Sequence, residues 1–222
     1  MNLSAENIAM TYNDAGHLVN VFSGINLEIE SGSSLAIVGN SGVGKTTLLN
    51  VLGGLEKPSL GKVELGGLNC SDGDDNPEFR ARNFGFVFQS HNLLADFSAI
   101  ENVMLPLLVL GESKSDAIKK AEELLLYVGL SNRANHRTNL LSGGEQQRVA
   151  VARAMVTKPK VILADEPTGN LDRENTENIA KLLIDSKNKN GISVIIVTHS
   201  MELAEKMEKI VRLTAQGLVS IK

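Results

Sequence analysis

Apolar residues recur along this chain with changing periods, and each change of period marks an element. "LSAENIAMTY" and "VFSGINLEIESG" alternate apolar with polar, the second putting Ile25, Leu27 and Ile29 on one face, which predicts two antiparallel strands. "SLAIVG" is a continuous apolar run of the kind buried in a parallel sheet, and it passes through "NSGVGKTT" into the helical "TLLNVLGGL". "GKVELGG" reads as an edge strand and "NFGFVFQ", Asn83 to Gln89, as a buried one, with the loop "GLNCSDGDDNP" between them. Residues 98 to 155 change to helical spacing. In "SKSDAIKKAEELLLYVGL", Ile118, Ala121, Leu125 and Val128 share a face, Ser113 or Ser115 is the N-cap and Gly129 the stop. "KVILADEP" and "ISVIIVTHS" are β-rich runs separated by the helical "NTENIAKLLIDSKNKNG", the spacing of a βαβ unit. The pattern predicts an α/β core with a mostly parallel sheet, an N-terminal antiparallel β part and an inserted helical part.

A chain of 222 residues is long enough to bury about 70% of its unfolded surface. It is expected to be a single domain, 1–222, with the helical part at about 91–155. The hydrophobic share of 42% and charged share of 22% fit an ordinary globular protein. Twenty-two basic against twenty-six acidic side chains leave a net charge of −4, which argues against a nucleic-acid partner. Cys70 is the single cysteine, so no internal disulfide forms, and "MNLSAENIAM" has no cleavable-signal pattern; both point to the cytosol. The longest apolar run, Val103 to Leu110, is far short of the ~18 residues that cross a bilayer, and Pro106 interrupts it. Work at a membrane would therefore need spans from another chain.

Candidate chemistry begins at "GNSGVGKT", Gly39 to Thr46, which fits G-x-x-x-x-G-K-[ST] in the context that pattern needs, a strand before and a helix after. Its glycines let backbone N–H groups converge on a phosphate, Lys45 reaches the β and γ phosphates, and the Thr46 hydroxyl can ligate Mg²⁺. "VILADE" ends a buried strand in two carboxylates: Asp165 can hold Mg²⁺, and Glu166 can orient or deprotonate an attacking water. His199 and Gln89 also follow apolar strands. Each is either a polar strand end or a phosphate and water contact. Tyr12 lies in the turn-rich "MTYNDAGHLVNVF" and either packs or stacks on a base.

A second glycine pair stands in "LSGGEQQRVAVARAM", Leu141 to Met155. Ser142 and Glu145 form an S-x-x-E capping box. Such a box does not ask for two glycines inside it, since glycine costs a helix about 1 kcal/mol relative to alanine. Bare backbone at a helix N-terminus suits a second anion.

With "GNSGVGKTT", Gln89, "LSGGEQQ", "VILADEP", "GNLD" and His199 in this order, nearly the whole chain resembles the ATP-binding subunits of ABC transporters. The resemblance implies ATP and Mg²⁺ as cofactors. Tyr12 matches the aromatic residue that stacks on adenine, and Gly39, Asn40, Ser41, Gly42, Val43, Gly44, Lys45, Thr46 and Thr47 match the phosphate loop. Gln89 matches the glutamine that links Mg²⁺ and water to the membrane subunit, Asp165 and Glu166 the Mg²⁺ aspartate and catalytic glutamate, and His199 the switch histidine. Asp172 matches the aspartate of the loop that crosses the dimer interface. Ser142, Gly143 and Gly144 match the signature that contacts the γ-phosphate of an ATP held by the other subunit. The family thus implies a homodimer around two ATP. Within it, "FVFQSHNLLADFSAIENVMLPLL", "VGLSNRANHR" and "ADEPTGNLD" are most similar to the ATPases of lipoprotein-releasing systems, which implies LolC/LolE-like permease subunits and a peripheral place on the cytoplasmic face of the bacterial inner membrane. ATPases of macrolide and other exporters share much of this. Val43, Thr46 and Ser200 depart from the commonest family residues. Neither the coiled-coil insertion of repair ATPases nor the second nucleotide domain of translation ATPases is present.

Overall fold

A computed structural model describes residues 1–14, 17–70, 76–169 and 171–222. In chain order the elements are β1 (Leu3–Asp14), β2 (His17–Ile29), β3 (Ser34–Val38), α1 (Lys45–Leu52), β4 (Leu60–Leu65), β5 (Leu68–Asn69), α2 (Pro77–Asn83) and β6 (Phe84–Val87). They continue with α3 (Ala99–Val109), α4 (Lys114–Tyr127), α5 (Gly143–Met155), β7 (Val161–Asp165), α6 (Arg173–Asn190), β8 (Ser193–Thr198), α7 (Met201–Ala204), β9 (Lys209–Thr214) and β10 (Gly217–Ser220). The chain divides into two compact units, Met1–Asn76 with Ser193–Lys222, and Pro77–Ile192.

The first unit holds an antiparallel sheet in the order β2-β1-β4-β5. Its apolar face buries Leu3, Ile8, Phe22, Ile25, Val63 and Leu65. The alternation in β1 slips between Ala5 and Ile8, where the register to β2 shifts and Asn7 takes a left-handed φ of 47°. The bulge explains Gly61: a Cβ there would lie 2.4 Å from the Glu6 carbonyl oxygen. Two expectations change. β4 pairs with β1 on one side and β5 on the other, so "GKVELGG" is not an edge. Tyr12 belongs to β1, paired with Val19, rather than to a connection, because the alternation runs on to Asp14.

The same unit carries the parallel strands. β3 pairs with both β8 and β9, and every residue of β3 and β8 is buried, as a continuous apolar run requires. The register sets Val38 opposite Thr198. Gly39 and His199 therefore leave neighbouring strands at the same, C-terminal, edge, where α/β sheets bind ligands. The sequence reading placed no element after residue 200; α7, β9 and β10 occupy that stretch, β10 pairing antiparallel with β9.

In the second unit β6 and β7 are parallel, with Val87 opposite Ala164. Gln89 and Glu166 consequently follow the ends of paired strands. Helices α3, α4 and α5 bury Val103, Leu107, Ala121, Leu125 and Val149 in one cluster. α3 starts at a capping box between Ser98 and Glu101. It runs through Pro106, which breaks the apolar run in sequence without ending the helix; proline there removes only the bond to the carbonyl four residues earlier. In α4 the buried face is Ala117, Ala121 and Leu125, with Ile118 only partly buried, and Ser113 is the cap. The segment ends as expected: Gly129 has φ 73°, and Leu130 N–H donates to the Leu125 carbonyl. α2 was not foreseen, being seven residues with no buried face beside residues 71–75 of the predicted loop, which lie outside the described residues.

β6 and α5 approach so closely that a Cβ on Gly85 would come 2.1 Å from the Ala154 carbonyl oxygen. Both atoms belong to regular backbone, so the helix must move. Gly85→Ala should destabilise the protein by about 1–3 kcal/mol in chemical denaturation. A midpoint equal to that of the parent would show that strand and helix can part freely.

Candidate active site

The phosphate loop joins β3 to α1. Gly42 and Gly44 have φ of 78° and 96°, a conformation side chains resist. At Gly44 a Cβ would also strike Val21 Cγ1 at 2.3 Å. Gly44 is the N-cap of α1, no side chain caps that end, and no acidic residue stands in its first turn. The positive end of the helix is thus not answered by the protein's own side chains. Lys45 is 8% exposed, and its Nζ donates to the carbonyls of Gly39 at 2.9 Å and Asn40 at 3.0 Å. Among the described residues it enters no ion pair, which leaves a nearly buried ammonium with donor capacity for an anion. The loop, the helix end and the lysine fit a phosphate chain.

Tyr12 hydrogen-bonds through its hydroxyl to Glu56 Oε2, and the Thr47 side chain bonds the same hydroxyl. The structure therefore brings Tyr12 to the last residue of the loop, with its ring partly exposed. Burial, then the Glu56 carboxylate, push its pKa up. His199 is exposed just beyond β8, and Ser200 caps α7 by accepting from Leu203 N–H.

The second unit carries the remaining candidates. Asp165 ends β7 and is nearly buried. Glu166 has φ 41° and precedes Pro167, so its backbone sits in a region that a non-glycine residue occupies only under constraint. Gly169 N–H donates to the Glu166 carbonyl at 2.9 Å. Gln89 reaches the same turn: its Nε2 lies 3.1 Å from where a Cβ on Gly169 would stand. Gln89, Glu166 and Gly169 thus gather within one unit.

The signature helix α5 begins with the expected box. Ser142 Oγ accepts from Glu145 N–H at 3.3 Å, and Glu145 Oε2 accepts from Ser142 N–H at 2.8 Å. The two glycines serve different ends. A Cβ on Gly143 would meet nothing within 4 Å, whereas one on Gly144 would lie 2.4 Å from Asn175 Oδ1. Gly144 is required by an internal contact, and Gly143 is the open one. Among the described residues neither glycine's N–H donates a hydrogen bond. Asn175 in turn is held by Asp172, which caps α6: Asp172 Oδ1 accepts from Asn175 N–H and Oδ2 from its Nδ2, both at 2.8 Å. Those bonds keep the Asp172 carboxyl below its usual range. Arg148 Nη1 donates to Asn175 Oδ1 at 2.9 Å.

Sequence reading missed three residues of α5 and its surroundings. Arg153 donates to the carbonyls of His91 at 2.9 Å and Asn92 at 2.6 Å, holding two consecutive left-handed residues in the turn after Gln89. The His91 ring hydrogen-bonds the backbone of Gly143. Gln147, fully buried, donates from Nε2 to the Pro167 carbonyl at 2.7 Å, and its Oε1 has no partner among the described residues. Leaving an amide oxygen unsatisfied costs about 1–3 kcal/mol. The helical pattern alone marks Gln147 only as a polar residue among apolar ones.

Residues 22–169 match the ABC transporter family. The chain belongs to that family. Its relatives include the lipoprotein-releasing system ATP-binding protein LolD of Syntrophus aciditrophicus, 46% identical over 220 residues that cover 98% of this chain and 99% of the relative. LolD of Saccharophagus degradans is 49% identical over 211 residues, covering 94% and 92%. Among solved structures, the dimeric post-hydrolysis state of the ATP-binding cassette MJ0796 bound to ADP and Pi superposes with a TM-score of 0.92 at 37% identity, covering 99% of this chain and 98% of that one. The ABC match spans the phosphate loop, Gln89, the signature and the Asp165–Glu166 pair. As a member, this chain is an ATP-hydrolysing cassette of a transporter, with the mixed α/β fold the sequence predicted.

Glu145 yields a pH test. The Ser142 N–H, then the Arg133 guanidinium at 3.1 Å, hold its carboxyl below the ordinary value of 4.5. A folded-state pKa below the unfolded one means that this stabilisation is present above pH 4.5 and is lost as pH falls through the lowered value. The stability advantage of the parent over Glu145→Gln should shrink in melting curves taken from pH 6 down to about pH 3. An advantage that does not change with pH would remove the carboxylate from the cap.

Proposed function

We propose that this chain is the ATPase of a lipoprotein-releasing transporter, working as a homodimer around two Mg·ATP on permease subunits of the LolC/LolE kind. In this reading the chain is a single ATP-binding domain with a signature-bearing helical part at about 91–155. It sits on the cytoplasmic face of the bacterial inner membrane. No helix among the described residues is long and apolar enough to cross a membrane, which agrees with a peripheral subunit carried by other chains. The observation that carries the reading is a pair of open helix ends: α1 with Lys45, which enters no ion pair among the described residues, and α5 with bare Gly143. One holds the phosphates of a nucleotide. The other, exposed at the surface, accepts the γ-phosphate held by a second copy.

Each residue then has a task. Gly39 to Thr47 and Lys45 bind the phosphates, and the Tyr12 ring, fixed through Thr47, stacks on adenine. Thr46, Gln89 and Asp165 would hold Mg²⁺, which supplies charge neutralisation on the β and γ oxygens. Water adds to the γ-phosphorus as the bridging bond to ADP breaks, Glu166 accepts the water's proton, and His199 contacts the γ-phosphate. Asp172, fixed by Asn175, faces the second copy.

A groove of about 320 Å³ in the second unit supports the membrane contact. Phe86, Phe88, Asn92, Pro106 and Arg153 line it, next to the turn that Gln89 opens. Leu94 and Phe97 are exposed nearby in sequence, at 42% and 44%. A cytoplasmic segment of the permease fits such an apolar floor with a basic rim.

Two measurements test this reading. Glu166→Gln should bind ATP normally, lose most hydrolysis and accumulate as a dimer in size-exclusion chromatography with ATP; turnover at the parent rate would remove Glu166 from its role. Leu94→Ser with Phe97→Ser should leave ATP binding unchanged and abolish co-purification with co-expressed permease subunits. Undiminished co-purification would place the contact elsewhere.

A further inference from the structure

Gln147 has no task in nucleotide or metal binding. It lies on α5 one turn beyond Gly143 and Gly144, is 2% exposed, and spends its only donor group on the carbonyl of Pro167. A carbonyl can only accept, so the amide nitrogen must face Pro167 and the oxygen is left buried, without a partner among the described residues. An apolar side chain of the same length would fill this place without an orphaned atom. The retained amide therefore points to what it grips.

What it grips is the turn that aims Glu166. A left-handed residue before a proline is doubly restricted, by its own Cβ and by the proline ring. Such a conformation persists only where the surroundings over-determine it. Two hydrogen bonds flank the Glu166–Pro167 peptide: Gly169 N–H to the Glu166 carbonyl at 2.9 Å, and Gln147 Nε2 to the Pro167 carbonyl at 2.7 Å. The first lies within the turn. The second comes from the signature helix, twenty residues away in sequence.

We infer that Gln147 is a positioning residue for ATP hydrolysis: its amide ties the Glu166–Pro167 turn to the signature helix and sets where the Glu166 carboxylate points. This rests on the assignment of Glu166 as the group that takes the water's proton. A displacement of α5 at its glycine end is transmitted to Glu166 through one hydrogen bond. Gln147 is 2% exposed and offers no surface to a nucleotide, so its loss acts on turnover and not on binding.

The test uses the full chain. Gln147→Met keeps length and apolar fill, removes the donor and also removes the orphaned oxygen. It should lower kcat about tenfold or more, as small misplacements of a reacting group do, while the KM for ATP and the melting temperature stay at parent values. Glu166→Gln and the double variant are measured beside it. Adding Gln147→Met to Glu166→Gln should cause no further loss, because both act through one carboxylate. Parent kcat in Gln147→Met, a loss that appears together with a fall in melting temperature, or losses that multiply in the double variant would each overturn the inference. Parent turnover in Glu166→Gln would instead overturn the assignment on which it rests. Should Gln147→Met fail to fold, Gln147→Glu decides. Its carboxyl donates to Pro167 only when protonated, and burial raises its pKa. Its rate relative to the parent should therefore recover as pH falls; a ratio independent of pH would overturn the inference.

Discussion

Loops that carry chemistry must leave regular structure, and the carbonyls they bury then need donors from somewhere else. In the second unit those donors come from helix α5. Arg153 holds the His91 and Asn92 carbonyls behind Gln89, Gln147 holds Pro167 behind Glu166, and Arg148 holds Asn175, on which Asp172 depends. The same helix presents Gly143 at its open end. Three segments distant in sequence are thus fixed to one rigid rod. The arrangement explains why α5 is polar on two faces while Val149, Ala150, Val151 and Ala152 are fully buried: it is a core helix and a frame for loops at once.

Strand register does the corresponding work at sheet edges. Val38 stands opposite Thr198, and Val87 opposite Ala164, so residues as far apart as Gly39 and His199, or Gln89 and Glu166, leave their strands as neighbours. Parallel pairing makes this possible, because successive C-terminal ends share one edge. The buried β3, β7 and β8 tolerate no slip, since every residue in them is enclosed on both faces.

Much of this was legible in the sequence, and the reason differs by element. The phosphate loop, the carboxylate pair and the capping box are local: their residues meet across three to seven positions, and turn chemistry dictates them. The runs "SLAIV" and "SVIIVT" declare burial by composition alone. Where partners are distant, the sequence is silent or misleads. Gly144 looks like a second bare amide, yet its missing side chain makes room for Asn175, thirty-one residues on. β4 looks like an edge because nothing in its own residues announces two-residue β5. Pro106 looks like a break, although a helix loses only one hydrogen bond to it. Gln147 and Arg153 look like ordinary polar helix positions until the carbonyls they face are known.

The two open helix ends differ in how their surroundings are built, and that difference bears on the order of events in the proposed pair. Lys45 is nearly buried and, among the described residues, bonded to carbonyls of its own loop and to no carboxylate, which sets an ammonium beside the positive end of α1. A phosphate relieves both at once, in a site already shaped by Gly42 and Gly44. At α5 the capping box has satisfied Ser142 and Glu145, the Arg133 guanidinium neutralises the glutamate, and the amide of Gly143 is the exposed one that remains. An exposed amide holds an anion weakly by itself, because water competes for it. It gains strength when a second surface excludes that water. In the proposed pair nucleotide would therefore bind first at α1, where the charge is buried, and the contact with α5 would strengthen only once two copies close around it.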